Sequence, residues 1–233
     1  MAQVLILSGG IYHDFPALSQ QLAGQLADVG CGVQVVTHPA DCATALDRDQ
    51  PQVLVVQALH WQMLGNPKYE PFRKEWAYTV GDDLKRAVLA HVARGGGIVA
   101  LHTGCICFAD WPDWQRLLGG GWVWGQSFHA ADLEQIVVAP ALDHPVTSGV
   151  AGYSLHDELY RDLVIDPAVT VLAVGRTPEG AGAPVAWVRQ EGRARIATLT
   201  LGHDVAGCAV AGQAKMTRQA VLWAAQQQEG QAI

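Results

Sequence analysis

Short apolar runs alternate with helix-like stretches through the first half of the chain, and this alternation limits the fold more than any other feature. Strand-like runs occupy Gln3 to Leu7, Val33 to Val36, Val53 to Val56 and Ile98 to Leu101. Between the first two runs, apolar residues recur at helical spacing from Leu18 to Val29. Continuous apolar strands are typical of a parallel sheet covered by helices on both faces. This half is therefore predicted to be a flavodoxin-like, doubly wound α/β sheet.

The rhythm changes after Ala109, where strand-like segments follow one another with fewer helices between them. These segments are Gln135 to Val138, Val169 to Val174, Pro184 to Val188 and Arg195 to Leu201. The short spacing around Glu191-Gly192 predicts an antiparallel hairpin, and a last helix is predicted over Gln213 to Gln226. We expect one domain over residues 1–233, with a mainly parallel sheet and some antiparallel strands in its second half.

Charge and hydropathy exclude several classes of partner. The 15 Lys and Arg residues against 22 Asp and Glu residues give a net charge of −7, so nucleic acid is not expected as a partner. Every apolar run is shorter than the roughly 20 residues that a membrane span needs, and the first residues lack the pattern of a signal peptide. We therefore expect a cytoplasmic protein with no membrane partner, and a homo-oligomer remains open.

The five cysteines do not suggest a disulfide framework. They are odd in number and irregularly spaced, which fits a reducing compartment. The close pair Cys105 and Cys107 has no second pair to complete a thiolate zinc site. We expect Cys105 and Cys107 to be small buried thiols.

Four histidines are predicted at the carboxyl ends of strands, where open α/β sheets bind their ligands. His13 follows the first strand, His60 the third, His102 the fourth and His203 the last. Ordinary packing, surface or turn roles are expected for His38, His91 and His144.

The segment Ala100-Leu101-His102-Thr103-Gly104 is a strand, a sharp turn and a small residue, which is the geometry of a nucleophile elbow. It resembles the class I glutamine amidotransferase-like superfamily, whose members place a catalytic Cys at the elbow. Here His102 occupies that position, so the resemblance does not imply a Cys-dependent amidotransferase.

Further signatures identify the chain as similar to the trehalose-utilisation (ThuA-like) family within that superfamily. These are, in chain order, Gly9-Gly10 with His13-Asp14, Gly96-Gly97 through Leu101-His102-Thr103-Gly104, Asp143-His144-Pro145, Asp157-Glu158-Leu159-Tyr160, Leu201-Gly202-His203-Asp204 and Trp223-Ala224. The resemblance implies carbohydrate metabolism, especially the handling of oxidised (3-keto) disaccharides or glycosides.

Imidazoles and carboxylates in these signatures are the catalytic candidates, namely His102, His203, Glu158 and Asp204. Such groups suit general acid and base chemistry, and His102, His203 and Glu158 also suit a divalent metal such as zinc, with His13 or His129 as a further ligand. The sequence leaves both mechanisms open. It also leaves open a non-catalytic module that binds sugars or a partner on an amidotransferase-like fold.

Residues near the strand ends are the candidates for binding a small-molecule sugar. Aromatic faces stack on the apolar faces of sugar rings, so Trp61 beside His60 and Trp124 near His129 are expected at a saccharide pocket. The signature pair His13 and Asp14 completes the set, although Asp14 also suits the cap of the first helix. Ser8-Gly9-Gly10 lacks the spacing of a nucleotide-binding loop, so no nucleotide cofactor is expected.

Overall fold

A nine-stranded sheet forms the centre of the protein, as seen in a computed structural model that describes residues 1–64, 66–178, 180 and 182–226. Two short strands form a separate pair. In chain order the strands are β1 (Gln3–Gly10), β2 (Gly32–Val36), β3 (Val53–Leu59), β4 (Gly97–Leu101), β5 (Gly120–Gly121), β6 (Glu134–Pro140), β7 (Tyr153–Asp157), β8 (Val164–Ile165), β9 (Thr170–Arg176), β10 (Gly182–Glu191) and β11 (Ala194–Leu199).

Helices fill most of the connections between these strands. They are α1 (Phe15–Ala27), α2 (Pro39–Asp49), α3 (Arg73–Trp76), α4 (Asp82–Ala93), α5 (Pro112–Leu118), α6 (Val205–Ala209) and α7 (Ala211–Ala224), with 3₁₀ turns at Pro67–Phe72 and His102–Cys105. The Asp14 carboxylate accepts a hydrogen bond from the backbone N–H of Ala17 and caps α1, as the sequence indicated. No helix in the described part of the chain is long and apolar enough to cross a membrane.

The order of the strands confirms the predicted fold class. The sheet begins β2-β1-β3-β4-β11, and these five strands are parallel, in the order of flavodoxin-like folds. The remaining four, β10, β9, β6 and β7, each join antiparallel to the preceding one. The predicted hairpin at Glu191-Gly192 is the turn between β10 and β11.

Both faces of the sheet are buried at its central strands, which explains the continuous apolar runs. In β1, Leu5 and Leu7 belong to one hydrophobic core, while Val4 and Ile6 belong to the core on the opposite face. Every residue of β3 (Val53–Leu59) is buried in the same two-sided way. Because the cores hold the parallel strands rigidly, the loops at their carboxyl ends form a fixed platform for side chains.

Several elements were absent from the sequence-based prediction, and α2 and β7 are two of them. The first is α2, which His38 caps by accepting a hydrogen bond from the Ala40 backbone N–H. The second is β7, which ends at Asp157, immediately before the candidate residue Glu158. The strand β7 is important for the site because it carries Glu158 to the ends of the parallel strands.

Candidate functional site

The elbow at the end of β4 holds His102 in a left-handed backbone conformation with a φ of 46°. A non-glycine residue in this region is strained and is enriched at functional sites. The turn is tight because Gly104 approaches the backbone carbonyl of Val56 too closely for a Cβ atom. The Thr103 hydroxyl also donates to the Ala58 carbonyl at 2.8 Å. These contacts fix the His102 imidazole above the sheet edge.

Four predicted site residues converge at this edge. His102 Nε2 lies 3.1 Å from His13 Nε2 and 3.4 Å from Glu158 Oε2. His203 Nδ1 lies 3.4 Å from Glu158 Oε1, and the ring centroids of His102 and His203 are 5.6 Å apart. The convergence that we expected for His102 and His203 is therefore present, with His13 and Glu158 between them.

The position of His102 is also set by a backbone contact on its other nitrogen. His102 Nδ1 lies 2.8 Å from the carbonyl oxygen of Thr200, in the loop after β11. Because a carbonyl oxygen can only accept, Nδ1 carries the proton and donates it. A neutral His102 therefore presents the lone pair of Nε2 to the cluster.

Burial and mutual charge tune the protonation of the cluster. Burial, together with the neighbouring His102 and His203, lowers the pKa of His13 to about 3, so His13 is neutral at physiological pH. Burial alone would raise the pKa of Glu158, but its close contacts with His102 and His203 hold it well below its usual range. The close contact with the Glu158 carboxylate raises the pKa of His203. The site thus combines a carboxylate with neutral imidazole.

Tyr160 belongs to the site, although the sequence analysis did not select it. Its side chain is fully buried and its hydroxyl lies 2.9 Å from His102 Nε2. Burial, followed by the charge of Glu158, raises the pKa of Tyr160 well above its usual value, so the hydroxyl keeps its proton. Because His102 Nε2 can only accept in this tautomer, Tyr160 donates to it. The only sequence signal was its position in the signature Asp157-Glu158-Leu159-Tyr160.

An aromatic pocket of about 360 Å³ opens on this cluster. The Trp61 and Trp124 rings are stacked, with centroids 5.6 Å apart and planes 12° from parallel. Tyr12 contributes an exposed ring, and its backbone has a φ of 75°, a strained conformation for a tyrosine. The residues that line the pocket are Tyr12, His13, Leu59, Trp61, Lys68, Tyr69, Thr103, Ile106, Trp122, Trp124, His129, Glu158, Tyr160 and His203. Apolar walls with a few polar groups at one end suit a small, partly apolar ligand.

The remaining candidates occupy different positions. His129 lines the pocket, and its Nδ1 lies 3.5 Å from Glu158 Oε1. Asp204 caps α6, where its carboxylate accepts from the Gly207 backbone N–H at 2.7 Å, next to the cluster but directed into the helix. The residues of the described chain that line the pocket include neither Asp14, which caps α1, nor His60, which is buried against Tyr78.

The two cysteines after the elbow are fully buried. Burial raises the pKa of both thiols to about 12. Cys105 donates to the His102 carbonyl at 3.2 Å, and Cys107 donates to the Ala58 carbonyl at 2.9 Å. Protonated, inaccessible thiols that bond the backbone are poor nucleophiles, as the sequence reading expected.

Fold and site together define a doubly wound α/β protein whose polar centre is a histidine elbow at the strand ends. The chain belongs to the ThuA family, described as trehalose utilisation, which matches residues 4–224. Membership of this family points to a carbohydrate-related role. No curated protein matches the sequence.

Solved structures share the fold at low sequence identity. A ThuA-like protein from Parabacteroides merdae aligns with a TM-score of 0.77 and 19% identity, over 100% of this chain and 92% of that one. A ThuA-like protein from Bacteroides uniformis aligns with a TM-score of 0.65 and 17% identity, over 96% of this chain and 91% of that one. A β-galactosidase from Rahnella sp. R3 aligns with a TM-score of 0.61 and 15% identity, over 97% of this chain but only 30% of that chain. At these identities the likeness concerns the fold.

Proposed function

We propose that this protein is an enzyme that acts on a keto-sugar, a disaccharide or a glycoside. The observation that carries the proposal is the opening of the aromatic pocket directly onto the cluster of His13, His102, Glu158 and His203. A sugar ring stacked on Trp124, behind which Trp61 is fully buried, would present its hydroxyl or carbonyl groups to these polar side chains. The carbohydrate-related role of the family supports the same substrate class.

The chemistry that suits this cluster is acid–base or metal-assisted and needs no thiol nucleophile. Proton abstraction beside a carbonyl requires a base and an electrophile that stabilises the developing enediolate. When no metal is bound, Glu158 or His203 can act as the base, and the Tyr160 hydroxyl can stabilise the negative oxygen. A bound cation would take the role of the Tyr160 hydroxyl. The reaction would be an elimination, an isomerisation or a hydrolysis.

The direct test is turnover of a panel of sugars followed by NMR spectroscopy. The panel contains disaccharides, aryl and alkyl glycosides, and their 3-keto derivatives prepared with a sugar oxidase. We expect product with at least one member of the panel, and a loss of turnover in Glu158→Gln, which keeps the shape of the side chain. His156→Gln is the matched control, because His156 is an exposed residue of β7 outside the pocket.

Binding without turnover would instead support the module that the sequence left open. Quenching of the indole fluorescence reports binding, because Trp61, Trp122 and Trp124 line the pocket. If a sugar quenches the fluorescence and remains chemically unchanged across the panel, the protein is a sugar-binding module and the enzymatic proposal is wrong.

A further inference from the structure

The spacing of the ligand atoms in the cluster is that of a metal site. His13, His102, Glu158 and His203 each offer one ligand atom, and all four atoms lie within 4.8 Å of one another. In a tetrahedral site with bonds of about 2.0–2.1 Å, neighbouring ligand atoms are about 3.3 Å apart. Three contacts between neighbouring donors, two of them to different oxygens of Glu158, are 3.1, 3.4 and 3.4 Å long. The closest donors therefore already have the spacing of a metal site, and the more distant ones would move inward when a cation binds.

Other possible ligand atoms surround His102 Nε2. With Nδ1 held by the Thr200 carbonyl, Nε2 has one lone pair, or one proton when charged. Three polar atoms lie around Nε2: the Tyr160 hydroxyl at 2.9 Å, His13 Nε2 at 3.1 Å and Glu158 Oε2 at 3.4 Å. Without a metal, the lone pair of Nε2 accepts from the Tyr160 hydroxyl and nothing bridges His13 Nε2 and Glu158 Oε2, whereas a metal ion among them binds His13, His102 and Glu158 together.

The other three donors, His13, His203 and Glu158, are also placed to bind a cation. His13 Nδ1 faces the Ile11 carbonyl in a long contact of 3.5 Å, which turns Nε2 towards His102. The buried His203 Nδ1 makes no hydrogen bond, although it lies 3.4 Å from Glu158 Oε1. A buried imidazole nitrogen without a partner is costly unless something else binds it. The carboxylate of Glu158 supplies the negative charge.

We propose that His13, His102, His203 and Glu158 bind one divalent transition-metal ion, with zinc as the first candidate. Imidazole-rich donor sets favour zinc and its neighbours, while magnesium and calcium prefer oxygen ligands. The contact between His102 Nδ1 and the Thr200 carbonyl is the kind of backbone support that orients metal-bound histidines. The inference deepens the proposed function and rests on it for the role of the ion, which would act as the electrophile.

The first experiment measures metal binding without reference to activity. The full chain is purified without an affinity tag that binds metal, and its metal content is determined by elemental analysis. The protein is then stripped with a chelator and titrated with Zn²⁺ in the calorimeter and with Co²⁺ in the visible spectrum. We expect one ion per chain, ligand-field bands of bound Co²⁺, and a higher melting temperature with Zn²⁺.

Variants identify the ligands. His13→Asn and Glu158→Gln should each weaken Zn²⁺ binding by at least about tenfold and remove the rise in melting temperature. His156→Asn removes an exposed imidazole outside the cluster and should bind Zn²⁺ as the unmodified protein does. Circular dichroism of the stripped variants checks that each is folded, and a variant that fails this check is replaced by His203→Asn.

The outcomes separate this inference from the proposed function. One ion per chain that is lost in the ligand variants supports the metal site, whether or not a sugar is turned over. If neither Zn²⁺ nor Co²⁺ binds to the stripped, folded protein at millimolar concentration, the metal site is wrong. The same is true if binding persists unchanged in both ligand variants. Turnover of a sugar by metal-free protein would keep the proposed function and overturn the assignment of the ion as its electrophile.

Discussion

The buried carboxylate of Asp157 accepts a hydrogen bond from the backbone N–H of Gly202 at 2.9 Å. It also accepts from the backbone N–H groups of Glu158 at 2.8 Å and His203 at 3.3 Å. Asp157 therefore ties the end of β7 to the loop after β11. Two residues of the cluster, Glu158 and His203, owe the position of their backbone to this one side chain.

Replacing Asp157 should damage both stability and the site. In Asp157→Asn the side-chain amide brings N–H donors to a place where three backbone N–H groups need acceptors. We expect the free energy of unfolding to fall by about 3 kcal/mol, since each buried unpaired donor costs about 1–3 kcal/mol. Urea denaturation measures this loss. Asp166→Asn, at an exposed turn, is the control, and equal stability of the two variants would contradict the prediction.

Much of the site was predictable because parallel strands end at one edge of a sheet. His13, His102 and His203 follow β1, β4 and β11, three strands of the parallel part, so a single rule places them together. The convergence required no knowledge of side-chain packing. The elbow could be recognised in the same way, from a strand followed by a small residue at the turn.

The same rule does not cover the contribution of β7. This strand lies at the antiparallel edge of the sheet, four strands beyond β11 in the hydrogen-bonding order. The tertiary contacts of Asp157 with Gly202 and His203 bring its end to the cluster. The sequence therefore indicated Glu158 through a family resemblance alone, and it did not reveal the roles of Asp157 and Tyr160.

Carboxylates near a site illustrate a second limit. Asp14 and Asp204 each stand immediately before a helix and next to a site histidine, so either role suited them. In the structure both side chains cap their helices. A sequence pattern shows that an Asp can cap or catalyse, but the direction of its carboxylate depends on the backbone of the following turn.

Tyr160→Phe should lower turnover without unfolding the protein. The substitution removes only the hydroxyl that donates to His102 Nε2 and leaves the buried ring in its stack on His102. We expect kcat to fall by about 10²-fold, the usual range for a positioned proton donor, with little change in KM. The Tyr153→Phe variant is the control, because the Tyr153 hydroxyl donates to Gln213, away from the cluster. An unchanged kcat in Tyr160→Phe would exclude a catalytic role of this hydroxyl.

The Trp124→Ala substitution should weaken sugar binding more than it affects catalysis. Trp124 is half-buried and stacks on Trp61 in the pocket wall. Loss of an aromatic contact worth about 0.5–1.5 kcal/mol would raise the KM or the dissociation constant by about two- to tenfold. Isothermal calorimetry with the best substrate of the panel measures the change. Trp76→Ala, outside the pocket, should bind normally, and equal effects of the two variants would argue against stacking.

Iodoacetamide should leave Cys105 and Cys107 unmodified in the folded protein. Both thiols are fully buried and have pKa values raised to about 12, so the thiolate that reacts is scarce and inaccessible. Peptide mass spectrometry should find adducts at these positions only after denaturation, and turnover should survive native treatment. A stoichiometric adduct on either residue together with loss of turnover would restore a thiol-dependent mechanism.

The buried His91 provides a test of pH-dependent stability away from the site. Its Nε2 donates to the Gly97 carbonyl at 2.8 Å, and its Nδ1 accepts from Arg94 at 3.0 Å. Burial lowers the pKa of His91 to about 4, with Arg94 lowering it further and the bond to Gly97 opposing the shift. A proton on Nδ1 would place two cations face to face. Folded His91 therefore stays neutral at pH values where the unfolded chain is protonated.

We expect His91→Gln to reduce the loss of stability in acid. Between pH about 6.5 and 4, unfolding takes up a proton at His91, so the free energy of unfolding falls as the pH decreases, by up to about 1.4 kcal/mol per pH unit. Above pH 6.5 this dependence vanishes. The His91→Gln variant lacks this titrating group, so its free energy of unfolding should depend less steeply on pH, and its side-chain amide still donates to the Gly97 carbonyl. His156→Gln, at an exposed position, should keep the pH dependence of the unmodified protein. Urea denaturation from pH 4.5 to 7.5 measures it, and parallel curves for His91→Gln and the unmodified protein would show that folded His91 is protonated like the unfolded one.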